Sequence, residues 1–258
     1  MSGEPSGMVF GEVAYAYDRA RPGYPKAAAQ WLTGPACSVL ELGAGTGKLT
    51  KELVGLGHDV LATDPDDRML VVLAERVPQA RVATGGAEEI NLPDRSVDVV
   101  VCAQAMHWFD LPRAVPEIAR VLRSDGVLSM VWNERDDSIP WVRRLNALMG
   151  RQDVGFEPAT LLAAHPEVQI VAEESFRHWQ AMTREQLAEM VSSRSEIVVL
   201  PPEERAERLA AVMSLYDTYD RGGGLQLPWI SRAYRARVEV AATGQEPHDD
   251  ATLLIDFR

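Results

Sequence analysis

The chain has 258 residues and a formal net charge of −12, from 26 basic and 38 acidic residues. This length suits one core with elaborations, so we expect a single domain over residues 1–258. The arginines are interspersed with glutamates and form no basic stripe, which argues against a nucleic-acid partner. No apolar stretch is long enough to span a bilayer, and the N-terminus lacks a signal-peptide pattern, so we predict a cytoplasmic protein with no membrane partner.

The first part of the chain alternates predicted strands with predicted helices. An N-terminal segment, AYAYDRARPGYP, precedes a first helix. Five runs rich in valine and leucine then predict strands: SVLEL, HDVLATD, ARVAT, VDVVVCA and GVLSMVW. Between them, apolar residues at helical spacing predict helices in KLTKELVGLG, DDRMLVVLAERV and LPRAVPEIARVL. This alternation is typical of an α/β protein with a doubly wound, mostly parallel sheet.

The second part has a looser pattern. We predict amphipathic helices in PWVRRLNALMG, REQLAEMVSSRS and PPEERAERLAAVMSLYDTYD, and strands in SFRHWQAMT and LQLPWISRAYRARVEV. We expect the two strands to complete the sheet and the helices to cover it. The two cysteines, Cys37 and Cys102, lie in or beside apolar runs, which favours buried thiols over a disulfide or a metal site.

The stretch VLELGAGTGKLT, residues 39–50, follows the first strand with glycines at every second position. A phosphate-binding loop requires serine or threonine after the Gly-Lys pair, and here Leu49 follows Gly47-Lys48. A dinucleotide fingerprint requires its third glycine one residue later than Gly47. The remaining pattern is a carboxylate, Glu41, before a turn that allows a ligand to approach backbone N–H groups. Such a carboxylate suits a ligand with an ammonium and a sulfonium and would repel a pyrophosphate.

The glycine turn resembles the first motif of the class I S-adenosylmethionine-dependent methyltransferases. The resemblance covers residues 36–133 and includes three later stretches: VLATDPDDRML, GGAEEINLPDRSVDVVVCAQAMHWFD and VLRSDGVLSMVW. The chain is similar to methyltransferases of type 11, and its H-W-F segment is similar to that of small-molecule enzymes such as trans-aconitate methyltransferase. One departure is Gly86, where the family often has an aspartate that accepts the adenine amino group.

The resemblance implies a Rossmann-like, seven-stranded, mostly parallel sheet with an antiparallel last strand and a helical lid. Residues 36–135 would form the cofactor-binding core, and residues 1–35 and 140–258 the lid, substrate-side elements and last strands. The implied cofactor is S-adenosylmethionine, which leaves as S-adenosylhomocysteine. The residues expected to bind it are Tyr17, Arg21, Glu41, Gly43, Ala44, Gly45, Asp64, Pro65, Ala87, Glu88, Ala103 and Gln104.

Some of these positions have specific expected roles. In the family pattern, the acidic residue at Asp64 accepts hydrogen bonds from both ribose hydroxyls. The residues around Ala87 and Glu88 line the adenine, and Ala103 and Gln104 lie beside the methionine part. An aromatic ring near the sulfonium would gain cation–π attraction, which is the role considered for Tyr17.

The methyl acceptor is expected beside the segment that follows the fourth strand. There, His107 is the candidate general base or orienting group, and Trp108 a candidate wall of the pocket. Tyr24 is a further candidate from the N-terminal segment, and Arg194 and Arg232 would suit an acidic acceptor. No His/Asp/Glu group has convincing metal-ligand spacing, so we expect no metal.

These observations predict in-line transfer of a methyl group to the oxygen, nitrogen or carbon of a small organic acceptor. Methylation of a protein or tRNA is the alternative enzymatic function. A protein that binds the cofactor without transferring its methyl group is the non-enzymatic alternative. We expect a monomer or a homodimer.

Overall fold

The computed structural model describes residues 21–149, 158–162, 164–192 and 195–239. In these residues, seven strands form one sheet: β1 (Ser38–Leu42), β2 (Asp59–Asp64), β3 (Arg81–Thr84), β4 (Val97–Ala103), β5 (Leu122–Arg135), β6 (Val168–Met182) and β7 (Leu225–Val238). Their order is β3-β2-β1-β4-β5-β7-β6. Strands β1 to β5 are parallel, and β7 runs antiparallel to both of its neighbours. The predicted Rossmann-like, seven-stranded, mostly parallel sheet with an antiparallel last strand is confirmed.

The helices of the described residues connect and cover these strands. They are α1 (Lys26–Thr33), α2 (Lys48–Gly55), α3 (Asp67–Arg76), α4 (Leu111–Val121), α5 (Pro140–Met149), α6 (Pro158–Leu162), α7 (Arg184–Ser192), α8 (Ser195–Val198) and α9 (Pro202–Tyr219). The short α6 and α8 are additions to the predicted set. Strand β6 begins at Val168 rather than at Ser175, because it is an edge strand whose exposed glutamates obscure the apolar pattern.

The central strands are buried on both faces, which explains their continuous apolar runs. Leu40 on β1 and Val100 and Val101 on β4 are fully buried. One face of the sheet packs against α4, and the other packs against α1, α2 and α3. A third apolar cluster joins α5, α7 and α9 to the first residues of β7. These three helices correspond to the predicted helical cover.

Gln104 has an unusual backbone conformation. Gln104, directly after β4, has a φ of 55°, which is unusual for a residue other than glycine. Its backbone N–H donates to the carbonyl of Val131 on β5 at 2.9 Å, which holds the turn against the sheet. Among the described residues, no helix has the length and apolar composition of a membrane span.

Candidate active site

A cavity of about 390 Å³ lies where the carboxyl ends of β1, β2 and β4 meet. Ligands of doubly wound sheets bind at this edge. Most of the predicted site residues lie in its lining: Arg21, Tyr24, Glu41, Gly43, Ala44, Gly45, Asp64, Pro65, Ala87, Glu88, Ala103, Gln104 and Trp108. His107 and Arg232 are not part of the lining, and Tyr17 and Arg194 lie outside the described residues.

Each of the three positions in the turn requires glycine to a different degree and for its own physical reason. All three adopt positive φ values, of 69° at Gly43, 56° at Gly45 and 85° at Gly47. A Cβ atom at Gly43 would lie 2.6 Å from the Cβ of Ala105, and one at Gly47 would lie 2.8 Å from the Cγ of Leu73. At Gly45 a Cβ would meet no heavy atom within 4 Å. The outer glycines are therefore required by the protein's own packing, whereas the middle glycine leaves space open beside the cavity.

Asp64 at the end of β2 is bonded to the backbone on both sides. One carboxylate oxygen accepts the N–H of Gly45 at 2.9 Å, and the other accepts the N–H of Asp66 at 2.9 Å. A carboxylate has about four acceptor positions, so each oxygen keeps capacity for a further donor. Because Asp64 also lines the cavity, its geometry suits a ligand with adjacent hydroxyls.

Glu41 is a buried carboxylate in the cavity wall. It is 1% exposed, and its Oε2 accepts the Thr50 hydroxyl at 2.6 Å. Its Oε1 is buried and has no hydrogen-bond partner among the described residues. Burial raises the pKa of Glu41 to about 8, and the negative charge of Asp64 adds to this, although the Thr50 hydrogen bond opposes it. An unpartnered buried oxygen in a cavity wall fits a cationic donor such as an ammonium group.

The loop after β3 forms another part of the lining, at Gly85–Glu88, and α4 holds it in place. Arg120 on α4 donates to the carbonyls of Ile90 at 2.8 Å and Leu92 at 2.7 Å, and Glu117 accepts the N–H of Ile90 at 2.8 Å. The hydrogen bond from Arg120 lowers the pKa of Glu117 to about 2, and the Ile90 N–H contributes to the same shift. These contacts hold Ile90 and Leu92, which follow the lining residues, against α4.

Glu88 links this loop to the start of α4. Its Oε1 accepts the N–H of Asp110 at 2.9 Å. A Cβ atom at Gly86 would lie 2.8 Å from the Oε2 of Glu88, so the small residue at position 86 leaves room for this carboxylate. The departure from the family pattern at Gly86 is thus accompanied by a carboxylate at Glu88 in the same wall.

The residues after β4 place Trp108, and not His107, at the cavity. Trp108 is 80% exposed and belongs to the lining. His107 is half-buried, and its ring centroid lies 4.9 Å from that of Trp108. Both residues belong to a 3₁₀ turn, Met106–Trp108, in which successive side chains diverge by about 120°. The His107 ring therefore contacts Trp108 from outside the lining, and its role at the acceptor stays a prediction.

The structure places Arg232 away from the cavity lining. Its Nε donates to the Oε2 of Glu134 at 2.8 Å, and both side chains are 46% exposed. Successive residues of a strand point to opposite faces, and the neighbouring Ser231 points to the face that contacts Asn133. Arg232 is therefore on the opposite face, in a surface ion pair.

Sequence reasoning missed Asn133, which lines the cavity and is 3% exposed. It follows the apolar run VLSMVW near the end of β5. A polar residue at the carboxyl end of a parallel strand was the available signal. The backbone carbonyl of Asn133 accepts the Gln104 side-chain amide at 3.3 Å, so the two residues form one wall.

The sheet order, the glycine turn and the two acidic residues together define a methyltransferase of Rossmann-like fold. Residues 40–130 match the family model described as a methyltransferase domain. An uncharacterised methyltransferase of Mycobacterium tuberculosis is 43% identical over 234 residues, which cover 89% of this chain and 95% of that protein. The chain belongs to this family, and it is an S-adenosylmethionine-dependent methyltransferase.

More distant relatives of this chain are also named as methyltransferases. An uncharacterised methyltransferase-like protein of Schizosaccharomyces pombe is 36% identical over 220 residues, which cover 80% of this chain and 84% of that protein. The structure of a candidate type II methyltransferase from Anaeromyxobacter dehalogenans is similar with a TM-score of 0.60 and 25% identity. That similarity covers 84% of this chain and 97% of the other.

Proposed function

We propose that this methyltransferase binds S-adenosylmethionine in the described cavity and transfers its methyl group to a small organic acceptor. The observation that carries the cofactor assignment is the unpartnered Oε1 of Glu41 in the cavity wall. The ammonium of the methionine part would donate a charge-assisted hydrogen bond to this oxygen and would also balance the carboxylate charge, which a neutral donor would not do. Release of S-adenosylhomocysteine would complete the cycle.

The proposed roles of the lining residues follow from their positions. Glu41 receives the ammonium, and Asp64 receives the ribose hydroxyls with its remaining acceptor positions. The open space at Gly45 admits the cofactor close to the backbone. The walls at Pro65 and Ala87–Glu88 enclose the adenine, those at Gly43–Ala44 and Ala103–Gln104 enclose the methionine part, and Arg21 covers the cavity. Tyr17, outside the described residues, is retained as a candidate for contact with the sulfonium.

The cofactor supplies an activated methyl group on a positively charged sulfur. The protein's task is to align the acceptor behind that methyl group and to exclude water, and alignment of two reactants alone supplies up to roughly 7–11 kcal/mol. We propose that Tyr24 and Trp108 hold the acceptor, since both line the cavity and offer aromatic surface. Arg194 is retained as a candidate for an acidic acceptor.

His107 enters the proposal in one of two ways. If the acceptor is a carboxylate, which is ionised at neutral pH, no base is needed and His107 acts on acceptor binding through Trp108. If the acceptor carries a proton that must leave, His107→Ala reduces turnover in a pH-dependent way.

The 80% exposure of Trp108 is the observation that favours the alternative, a protein or tRNA acceptor.

We also propose how the chain is organised around the cavity. Residues 36–135 serve as the cofactor core of a single domain over 1–258, and 1–35 and 140–258 supply the lid and acceptor side. We propose a cytoplasmic monomer or homodimer.

A labelled-methyl screen tests the function. Wild-type protein and S-adenosylmethionine with a tritiated methyl group are incubated with a metabolite library, and the Asp64→Ala variant serves as the blank. We expect label in a small molecule that depends on Asp64. Label in protein or tRNA fractions would support the macromolecular alternative. Binding of S-adenosylhomocysteine by calorimetry without any labelled product would instead support a non-catalytic binding protein.

A further inference from the structure

A polar cluster joins β5, β7 and β6 beside the cavity, with two buried members and one half-buried member. Its members are Asn133, Ser231 and His178, and Asn133 is also part of the cavity lining. The Oδ1 of Asn133 accepts the Ser231 hydroxyl at 2.5 Å. The Nε2 of His178 lies 3.3 Å from the same oxygen and 3.1 Å from the Ser231 hydroxyl. Ser231 is fully buried, so these contacts are shielded from water.

The other end of the Asn133 amide contacts the segment before α1. We call this segment, residues 21–25 with the sequence RPGYP, the N-terminal strap. The Nδ2 of Asn133 donates to the carbonyl of Gly23 at 3.0 Å. Gly23 is exposed, but its neighbours in the strap belong to the cavity lining: Arg21, Pro22 and Tyr24. One hydrogen bond thus connects the sheet to a segment that forms part of the cavity wall.

The cluster holds the Asn133 amide in one orientation. The Ser231 hydroxyl and the Nε2 of His178 both face its oxygen, which leaves the NH₂ group to face the strap. Rotation by half a turn would place the amide oxygen against the carbonyl of Gly23, with no hydrogen between two acceptors. A neutral imidazole with its proton on Nε2 makes these contacts, and burial lowers the pKa of His178, which favours the neutral form.

We propose that Asn133 is a positioning residue that holds the N-terminal strap against the cofactor cavity, and that Ser231 and His178 act through Asn133 by orienting its amide. The inference about cofactor retention rests on the proposed function, because the strap retains a cofactor only if one binds in this cavity. Loss of one neutral hydrogen bond changes the strap's opening equilibrium by about 2- to 12-fold.

Two variants separate this role from general packing. Asn133→Asp keeps the shape of the side chain and the oxygen that faces Ser231, but it places an acceptor against the strap carbonyl. Ser231→Ala removes a hydroxyl from a fully buried residue that does not line the cavity. Ser129→Ala is the matched control, since Ser129 is a fully buried serine on β5 whose hydroxyl donates to the carbonyl of Leu32 in α1 at 2.7 Å.

The first measurement is hydrogen exchange of the strap amides of Arg21, Gly23 and Tyr24 in the cofactor-free protein, since Pro22 and Pro25 have no N–H. We expect Asn133→Asp and Ser231→Ala to raise this exchange by about 2- to 12-fold, as for the loss of one hydrogen bond. The second is the dissociation rate of S-adenosylhomocysteine by stopped-flow, for which we expect an increase of similar size. For Ser231→Ala, which lies outside the lining, the KM for the cofactor should rise with kcat unchanged, because the strap affects binding and not the reacting atoms. Ser129→Ala should lower the unfolding temperature and change neither strap exchange nor cofactor dissociation.

Strap exchange that is unchanged in both variants, or equally raised in Ser129→Ala, would overturn the proposal. The double variant Asn133→Ala/Ser231→Ala should show no more strap exchange than Asn133→Ala alone, because Ser231 acts through Asn133. Additive effects of the two substitutions on strap exchange would contradict the inference that Ser231 acts through Asn133. If wild-type protein fails to bind S-adenosylhomocysteine, the proposed function is wrong, whereas strap exchange in the cofactor-free protein still decides whether Asn133 holds the strap.

Discussion

The carboxylate of Asp64 accepts the backbone N–H of Gly45 at 2.9 Å, which joins the end of β2 to the glycine turn after β1. Its second oxygen accepts the N–H of Asp66, at the start of the next helix. Asp64 therefore shapes the cavity wall as well as offering acceptor positions to a ligand. Removal of its side chain should affect the turn and the ligand together.

Asp64→Ala should weaken S-adenosylhomocysteine binding roughly 10- to 150-fold, from the loss of hydrogen bonds to a charged acceptor. It should also lower the unfolding temperature, because the N–H groups of Gly45 and Asp66 lose their partner. Calorimetry and thermal unfolding measure the two effects. The control is Asp59→Ala at the other end of β2, where an exposed ion pair with Arg81 contributes little. Unchanged affinity in Asp64→Ala would contradict the assignment.

Binding of the cofactor product should release a proton from Glu41. Burial raises its pKa to about 8 in the cofactor-free protein, so it is largely protonated at neutral pH, and pairing with an ammonium requires the ionised form. The affinity for S-adenosylhomocysteine should therefore increase as the pH rises toward 8. Calorimetry in two buffers of different ionisation enthalpy detects the proton. Glu41→Gln should abolish its release and Glu52→Gln should not; proton-neutral binding by wild-type protein would refute this role.

Alanine at Gly43 and at Gly45 should have different effects. Both positions have positive φ, which costs an alanine about 1–2 kcal/mol. Gly43→Ala adds a clash with Ala105, and Ala105→Gly in the same chain should restore part of the lost stability. Gly45→Ala lacks the clash, so it should unfold at a higher temperature than Gly43→Ala but bind S-adenosylhomocysteine more weakly than wild type. Equal unfolding temperatures for the two single variants would argue against this distinction.

Glu117 should stabilise the fold in a pH-dependent way. Its pKa is lowered from 4.5 to about 2, so its contribution is present above pH 4.5 and is lost as the pH falls through about 2. Glu117→Gln should reduce the free energy of unfolding by about 1–3 kcal/mol at pH 7, since hydrogen bonds to a charged group are weakened. Urea unfolding at several pH values should show this difference narrowing between pH 4.5 and 2. A difference that is independent of pH would exclude the ionised carboxylate as its source.

Trp108→Ala should weaken binding of the methyl acceptor with little effect on the stability of the fold. The side chain is 80% exposed, so its removal takes little buried area from the fold. Once an acceptor is known, we expect a higher KM for it and an unchanged unfolding temperature. Trp179→Ala is a suitable control, because this tryptophan is 62% exposed but does not line the cavity. Identical acceptor kinetics in wild type and Trp108→Ala would remove Trp108 from the acceptor site.

The strands and the glycine turn could be predicted because each depends on local sequence. β1 and β4 are buried on both faces, so their apolar runs are continuous and their ends are clear. Polar residues that follow such runs lie at one edge of a parallel sheet, which is why Glu41, Asp64 and Gln104 meet at one cavity.

The direction in which a single side chain points could not be predicted from the local sequence. His107 and Trp108 are adjacent in sequence, and only the 3₁₀ turn decides which of them lines the cavity. Arg232 and Ser231 are likewise adjacent on β7, and the register of β7 against β5 decides which faces Asn133. Asn133 itself interacts with residues 98 and 110 positions away, at Ser231 and Gly23, and no local pattern encodes such contacts.

Gln104 combines a strained backbone conformation with a hydrogen bond in the cavity wall. Its left-handed backbone costs about 1–2 kcal/mol relative to a glycine in the same conformation, although glycine returns part of this by its greater freedom in the unfolded chain. Gln104→Gly would relieve this strain but would delete the amide that bonds to Asn133 at the cavity wall. Substitution of this residue therefore exchanges relief of backbone strain against loss of a contact in the cavity wall.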